Sequence, residues 1–259
     1  MIRAIQLLAG TLALVTGIFA AEASAAELKV LSTGSMRGVL QELAPAFETA
    51  SGHKLKIDYA SAAEIEKKVT AEDEIDVAIL TKPRADKLVR EAKIVGGTAT
   101  PLARAQLGVA VMKGSPKPDI SSVEAFKKAL LNAKSIAYPD AASGLTSESQ
   151  VIEKLGIAAE LKAKTRLVSA GGGQGQVNVG EVVLRGEAEI GIQPIPLLMQ
   201  VQGIDIVGPL PAELQDPNLV WVAGSPFVSE QPVAAKALID LLADPKAAAV
   251  YKAKGFQPG

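Results

Sequence analysis

Apolar and polar positions follow two different periods along the chain, and the order in which these periods succeed one another predicts a fold class. Between residues 54 and 59 apolar and charged side chains alternate, with Leu55 and Ile57 on one face, which predicts a half-buried strand. Residues 39–47 instead place apolar side chains at the spacing of one helical face. Residues 75–80 are mostly apolar, as is typical of a buried strand. Strands therefore alternate with helices, which predicts a parallel sheet with helices on its faces.

The same alternation of strands and helices recurs in the second half of the chain. Apolar segments at 107–112, 135–138 and 189–192 predict strands, and helical spacing lies between them. Two successive β/α units of comparable size predict two doubly wound α/β lobes. Ligands of such sheets bind beyond the carboxyl ends of the strands, and in a two-lobed protein those ends can face each other across a cleft.

The first 26 residues have the pattern of a cleaved signal peptide. Arg3 supplies a positive charge, residues 4–20 are largely apolar, and residues 23–25 match a small-residue cleavage site. A membrane anchor is the alternative, but the apolar stretch is short for a span and no cluster of charges follows it directly. We therefore expect cleavage after Ala25 or Ala26 and a periplasmic location for the mature chain.

Composition narrows the classes of function. The 259 residues have a formal net charge of −1, whereas nucleic-acid-binding proteins usually present a basic face, so we expect no nucleic-acid partner. The chain contains no cysteine, which excludes disulfides, thiolate catalysis and cysteine-bound zinc. His53 is the single histidine, with no triad order or histidine-rich spacing, and segment 171–175 lacks the spacing of a nucleotide-binding loop. We therefore expect neither a metal nor a cofactor.

Three predicted strand-to-helix junctions combine small residues with hydroxyl groups. They lie at residues 32–35, 60–62 and 142–147. A helix start presents unpaired N–H groups and the positive end of the helix dipole, and small residues let an anion approach both. Helix capping alone is the alternative at any single junction, since serine and threonine commonly cap helices. Three junctions on the same side of the sheets favour a site for a small anion.

Basic side chains near these junctions are candidates for holding that anion. Arg37 lies on the first turn of the first helix, and Arg104 precedes the first strand of the second half. Lys82 and Arg84 follow the strand at 75–80. A guanidinium group matches a carboxylate with two parallel hydrogen bonds. For each cation, a solvated surface charge or a local ion pair is the alternative.

Six stretches of the mature chain match a known family in order and spacing, at 28–47, 52–69, 75–81, 137–144, 187–192 and 248–256. Through them the chain resembles the periplasmic molybdate-binding protein family of ABC transporters. The resemblance implies an α/β fold with two doubly wound lobes joined by hinge strands, the type II fold of periplasmic binding proteins. It implies a first lobe formed by residues 27–105 plus 205–259 and a second lobe formed by residues 106–204. It also implies a monomer that works with the membrane subunit of an ABC transporter.

The resemblance assigns ligand-binding positions, and the match is incomplete. Ser35 stands at the family's first binding serine, whereas Ala62 stands at the second, with Ser61 just before it. The family's binding tyrosine falls near Gln193. Two missing hydroxyl groups leave a tetrahedral oxyanion short of donors, which argues against molybdate. With the family's backbone donor positions and the residues of the junctions, the candidate ligand-binding set is Ser35, Met36, Arg37, Ser61, Ala62, Arg104, Ser143, Gly144, Thr146, Gln176 and Gln193.

Arg37 and Arg104 favour a larger organic anion, and the chain is also similar to a branch of the family that handles carboxylates. That branch includes a periplasmic aconitate isomerase, which interconverts cis- and trans-aconitate without a cofactor. Such a reaction removes a proton from a carbon beside a carboxylate and returns it at another position. The sequence favours a protein that binds an organic carboxylate for an ABC-type uptake system. An isomerase of a tricarboxylate, with no catalytic residue assigned, is the alternative, and a binding module without transport is a third hypothesis.

Overall fold

A computed structural model describes residues 25–140, 146–169 and 177–258, and within them the chain forms two α/β lobes. Residues 1–24, with nearly all of the predicted signal peptide, lie outside the described residues. The strands are β1 (Glu27–Thr33), β2 (Lys54–Ala60), β3 (Val77–Thr81), β4 (Thr100–Arg104), β5 (Leu107–Met112), β6 (Ile136–Pro139), β7 (Thr165–Val168), β8 (Ile190–Pro194), β9 (Ile204–Pro209), β10 (Val220–Gly224) and β11 (Gln257–Pro258). The α-helices are α1 (Arg37–Ser51), α2 (Ala62–Thr70), α3 (Lys82–Arg90), α4 (Val123–Asn132), α5 (Ser147–Leu155), α6 (Ala158–Leu161), α7 (Val179–Leu184), α8 (Ile195–Leu198), α9 (Pro232–Ala243) and α10 (Ala248–Ala253).

The first lobe contains a six-stranded sheet in the order β11-β4-β10-β3-β1-β2. β1 is parallel to both β2 and β3, as the sequence pattern predicts. β10 inserts between β3 and β4 and is antiparallel to both, and β11 is antiparallel to β4. The sheet is therefore mixed, and the prediction of a parallel sheet is wrong for the part that the C-terminal segment completes.

The second lobe contains a five-stranded sheet in the order β7-β6-β8-β5-β9. β6 is parallel to β7 and β8, whereas β5 is antiparallel to β8 and β9. Two mixed sheets with helices on their faces confirm the predicted two-lobed α/β class. The predicted lobe boundary needs a correction, however: β9 pairs with β5 and completes the edge of the second sheet, so the second lobe extends to Pro209 rather than ending at residue 204.

The chain crosses between the lobes twice, and one side chain ties the two crossings together. The first crossing joins β4 to β5 at residues 105–106, and the second joins β9 to β10. The Gln215 side-chain oxygen accepts a hydrogen bond from the Leu107 backbone N–H at 2.9 Å. Its amide nitrogen donates to the carbonyls of Leu107, at 3.0 Å, and Leu210, at 2.9 Å. Because buried backbone groups need partners, Gln215 holds the two segments at a fixed spacing.

Apolar side chains from both lobes join in one large hydrophobic cluster, which includes Leu28, Phe126, Ile192 and Leu238. Two smaller clusters lie under α2 and α3 in the first lobe and under α7 in the second. The sheets are thus covered on both faces, which leaves the ends of their strands as the place where the lobes meet. In the described ranges, no helix combines the length and the apolar character needed to span a bilayer.

Candidate functional site

A cavity of about 490 Å³ lies between the two lobes. The first lobe contributes the ends of β1 and β3 and the starts of α2 and α3, and the second lobe contributes the end of β6 and the start of α5. One side is closed by Asp216, Asn218 and Leu219 of the return crossing and by Trp221 of β10. The volume falls in the range of small-molecule sites, and the position beyond strand ends is the one that doubly wound sheets use for ligands.

The cavity wall beside β1 is built from buried hydroxyl groups. β1 ends at Thr33 and continues into a 3₁₀ turn, Gly34–Met36, that leads into α1. Thr33 and Ser35 are both buried and line the cavity. The Trp221 indole N–H donates to the Thr33 hydroxyl oxygen at 2.6 Å, which leaves the Thr33 hydroxyl hydrogen as a donor. Hydroxyl donors therefore lie on the cavity surface close to the start of α1.

Ser61 both caps a helix and lines the cavity. Its side-chain oxygen accepts a hydrogen bond from the Glu64 backbone N–H at 3.1 Å, so Ser61 is the N-cap of α2. Ala62 and Ala63 follow it on the cavity wall and, being small, leave the start of α2 accessible. Capping and ligand binding are compatible here, because a serine hydroxyl that accepts one hydrogen bond still has a proton to donate.

Two cations of α3 line the cavity and share one carboxylate. Arg84 and Lys87 both pair with Glu66 of α2, whose side chain is 13% exposed. Burial raises the pKa of Glu66, but hydrogen bonds from Lys87 and Arg84 outweigh it and hold the pKa below the ordinary value. Glu66 is therefore ionised at neutral pH, and this group of three residues, the cation pair and its carboxylate, has one positive charge in excess.

The second lobe contributes the amino end of α5. Thr146 caps this helix: its hydroxyl oxygen accepts from the Ser149 N–H, and the Ser149 hydroxyl oxygen accepts from the Thr146 N–H. The Ser147 hydroxyl donates to Asp216 at 2.7 Å, which links the start of α5 to the return crossing. Glu148 is the next residue, and although its side chain is ionisable the residue is only 4% exposed.

Glu148 has the most unusual electrostatic environment on the cavity wall. Burial raises its pKa to about 7; hydrogen bonds from its own backbone N–H and from Thr146 act in the opposite direction, and the negative charge of Asp216 raises the pKa further. No Lys or Arg of the described ranges pairs with it. At neutral pH the ionised and the protonated form of this carboxyl group are therefore both populated, so it is able both to accept and to give up a proton.

The structure brings four of the predicted binding residues to this cavity: Ser35, Ser61, Ala62 and Thr146. Arg37 and Gln193 instead line a second cavity of about 570 Å³, which also lies between the lobes and shares Gly34 and Leu197 with the first. The guanidinium carbon of Arg37 lies 3.8 Å from the centre of the Tyr59 ring. The Gln193 side-chain oxygen accepts from the Val179 N–H at 3.1 Å, which satisfies the backbone at the start of α7.

Two predicted residues lie away from both cavities. Met36 is fully buried in the hydrophobic cluster, so its side chain serves packing. Arg104 is exposed at the end of β4, where the backbone pairs with β10 and β11, because β4 runs on the far side of β10 from the cavity. Ser143, Gly144 and Gln176 lie outside the described residues.

The sequence pattern missed three carboxyl groups of the cavity: Glu66, Glu148 and Asp216. An acidic residue in the first turn of a helix is ordinary, so Glu148 gave no signal by its position alone. A usable signal was its place two residues after the capping Thr146, directly after a junction already marked as a candidate site. Within the described ranges no group of three or more His, Asp or Glu side chains is placed to hold a metal ion.

One hydrogen bond closes the contact between the lobes beside the cavity. The Gln200 side-chain nitrogen, after α8 of the second lobe, donates to the carbonyl of Gly34 in the first lobe at 3.0 Å. The same nitrogen donates to the Pro196 carbonyl at 3.2 Å. The cavity is therefore formed by two lobes that are in direct contact, and access to it depends on their relative position.

This fold and cavity define a class: a two-lobed α/β protein that encloses a small solute between its lobes. Residues 28–257 match the family of bacterial extracellular solute-binding proteins, and the chain belongs to that family.

Two relatives and one solved structure add detail. An aconitate isomerase of a Pseudomonas species is 35% identical over 236 residues, which cover 89% of this chain and 87% of the relative. The molybdate-binding protein ModA of Azotobacter vinelandii is 26% identical over 251 residues, 94% of this chain and 95% of the relative. The solved Azotobacter vinelandii periplasmic molybdate-binding protein has a TM-score of 0.72 at 22% identity, over 90% of this chain and 99% of that one. The resemblance found in the sequence and the type II fold that it implies are confirmed.

Proposed function

We propose that this chain is exported to the periplasm, where it binds a small organic anion with more than one carboxylate and delivers it to the membrane subunit of an ABC transporter. The pattern of the first 26 residues supports export. Ser35, Ser61 and Thr146 are the proposed hydroxyl ligands, and Arg84 and Lys87 are the proposed cations.

The observation that carries this proposal is the asymmetry of the cavity. The first lobe presents hydroxyl groups and the Arg84–Lys87 cation pair, whereas the second lobe and the return crossing present the carboxyl groups of Glu148 and Asp216. A compact oxyanion with charge on every side would lie against these carboxyl groups, and their ionised forms would repel it. An organic acid places its carboxylates toward the cations and its carbon skeleton toward the second lobe, so it fits the cavity better.

Calorimetric titration of the mature protein with tricarballylate, citrate, both aconitates, sulfate and molybdate tests the proposal. We expect binding of at least one tricarboxylate, and Arg84→Gln should weaken it roughly 10- to 100-fold, since a charged hydrogen bond contributes about 1.5–3 kcal/mol. Arg104→Gln is the matched control, because Arg104 is exposed away from the cavity. Binding of molybdate alone, or equal losses in both variants, would contradict the proposal.

Isomerisation of the bound acid is a second candidate function. A buried carboxyl group that lines the cavity, together with 35% identity to an aconitate isomerase, supports it. The reaction moves a proton between two carbons of an allylic tricarboxylate and needs a positioned base and cations that stabilise the developing negative charge. Conversion of cis- to trans-aconitate distinguishes the two functions, because a binding protein breaks no carbon–hydrogen bond of its ligand.

A further inference from the structure

We infer that Glu148 is the catalytic residue that takes a proton from one carbon of the bound tricarboxylate and returns it to another. This inference rests on the isomerase candidate above. It assigns the one role that neither the sequence pattern nor the resemblance supplied.

The geometry singles out Glu148 among the carboxyl groups of the cavity. Glu66 is held by Arg84 and Lys87. Asp216 already accepts hydrogen bonds from the Ser147 hydroxyl and, at 2.8 Å, from the Asn218 N–H. Glu148 is buried, lines the cavity and has no cation as a partner in the described part of the chain. Asp140, the fourth carboxyl group of the cavity wall, is only partly buried, so the Glu148 carboxyl group is the buried one that remains available to a substrate carbon.

The position of Glu148 is fixed by the helix that carries it. It lies in the first turn of the nine-residue helix α5, which is capped by reciprocal hydrogen bonds between Thr146 and Ser149. Val151, Ile152 and Leu155 of the same helix are buried in the hydrophobic cluster. A base must be held within hydrogen-bonding distance of the proton that it removes, and a packed, capped helix provides that rigidity.

The proton balance of the reaction needs one carboxyl group and no further reactant. Ionised Glu148 accepts a proton from the methylene carbon beside a carboxylate. The electron pair of the broken C–H bond forms a new double bond to the central carbon. The electron pair of the former double bond moves to the far carbon, which takes the proton back from Glu148. Arg84 and Lys87, on the opposite lobe, stabilise the charge that develops on the substrate carboxylates.

The surroundings of Glu148 suit a carboxyl group that both accepts and donates a proton near neutral pH. Asp216 is the charge that acts on it directly, and Thr146 is its hydroxyl partner. The other ionisable groups on the cavity wall are Asp140 on the same lobe and Glu66 with its two cations across the cavity. A pKa of about 7 keeps both the ionised and the protonated form of Glu148 populated, which is the condition for efficient proton transfer at that pH.

The test compares Glu148→Gln with Glu153→Gln, an exposed carboxylate on the same helix. Three measurements are made on each protein: chromatographic conversion of cis- to trans-aconitate, deuterium incorporation into aconitate by NMR, and calorimetric binding of tricarballylate, which has no double bond. We expect E148Q to lose conversion and exchange roughly 10²- to 10⁴-fold while it still binds tricarballylate, and E153Q to match the wild type. Asp216→Asn should move the ascending limb of the wild-type pH–rate profile to lower pH, since loss of the Asp216 charge lowers the pKa of Glu148.

The possible results of these measurements distinguish the assignment of Glu148, the isomerase candidate and the proposed binding function. Conversion of cis- to trans-aconitate by E148Q at the wild-type rate overturns the assignment of Glu148 and leaves the isomerase candidate standing. A wild-type protein that binds tricarballylate but neither converts cis- to trans-aconitate nor exchanges deuterium overturns the assignment and the isomerase candidate together, and leaves the binding function standing. A wild-type protein that binds no tricarboxylate overturns the proposed function itself.

Discussion

Replacing Glu148 by glutamine should stabilise the ligand-free protein relative to wild type by an amount that grows as the pH rises. Glutamine has nearly the same shape as glutamate and is neutral at every pH, so the substitution removes only the titration of the buried carboxyl group. In the folded chain this group has a pKa of about 7, whereas the ordinary value is 4.5. Because the folded pKa is the higher one, the protonated group favours the folded state and its ionisation opposes it.

The size of the effect follows from the two pKa values. The stabilising contribution of Glu148 is fully present below pH 4.5 and is lost as the pH rises through about 7. A tenfold change in proton affinity corresponds to about 1.4 kcal/mol, so the stability difference between E148Q and wild type should grow by roughly 2–3 kcal/mol between about pH 5 and about pH 8. The difference should level off above that range, once the carboxylate is ionised in both states.

Urea unfolding followed by fluorescence measures this difference. Trp221 is the single tryptophan of the chain, is buried, and lines the cavity beside Thr33, so its emission reports loss of the site. Glu153→Gln is the control and should show a difference from wild type that does not vary with pH, since Glu153 is exposed. If the E148Q difference also stayed constant within about 0.5 kcal/mol across this pH range, the conclusion that Glu148 is buried with a raised pKa would be refuted.

Two further predictions concern packing and the contact between the lobes. Gly191→Ala places a Cβ atom 2.7 Å from a Val183 methyl group, so the free energy of unfolding measured in urea should fall by about 1–3 kcal/mol. Gly97→Ala, where a Cβ atom has nothing within 4 Å, should leave it nearly unchanged. Equal effects of the two substitutions would contradict the packing argument. Gln200→Ala removes the hydrogen bond to the Gly34 carbonyl, so small-angle X-ray scattering of the ligand-free protein should show a larger radius of gyration; unchanged scattering would show that this contact does not hold the lobes together.

Much of the secondary structure could be predicted from local pattern because local chemistry determines it. In β2 exposed and partly buried residues alternate in step with the polar and apolar side chains. Ser61 caps α2, and α1 ends at Gly52, whose φ of 73° favours glycine. β4 was missed because Pro101 interrupts its pattern, and β11 is too short to have a pattern. The place of β10 inside the first sheet could not be predicted, since it depends on a pairing between segments far apart in sequence.

The candidate site was predicted only in part, because some of its features have a local signal in the sequence and others depend on long-range packing. Small residues and hydroxyl groups at helix starts have a local signal, and three of them, Ser35, Ser61 and Thr146, line the cavity. Arg84 was noted only as a cation that follows a strand, because its partner Glu66 lies on another helix. Burial of Glu148 depends on the packing of α5 and the return crossing around it, so its raised pKa has no signature in the order of residues along the chain.

The central place of β10 also determines the order in which the lobes can be completed. All strands of the second sheet come from one uninterrupted stretch, residues 107–209, whereas the first sheet lacks the strand between β3 and β4 until residues 220–224 are present. During synthesis the chain leaves the ribosome with its amino end first, so the first lobe begins to form before the second lobe but its sheet is completed after it. Until then β3 has an unpaired edge, which is a surface that can pair with other chains, so the last part of the sequence protects the first part from aggregation.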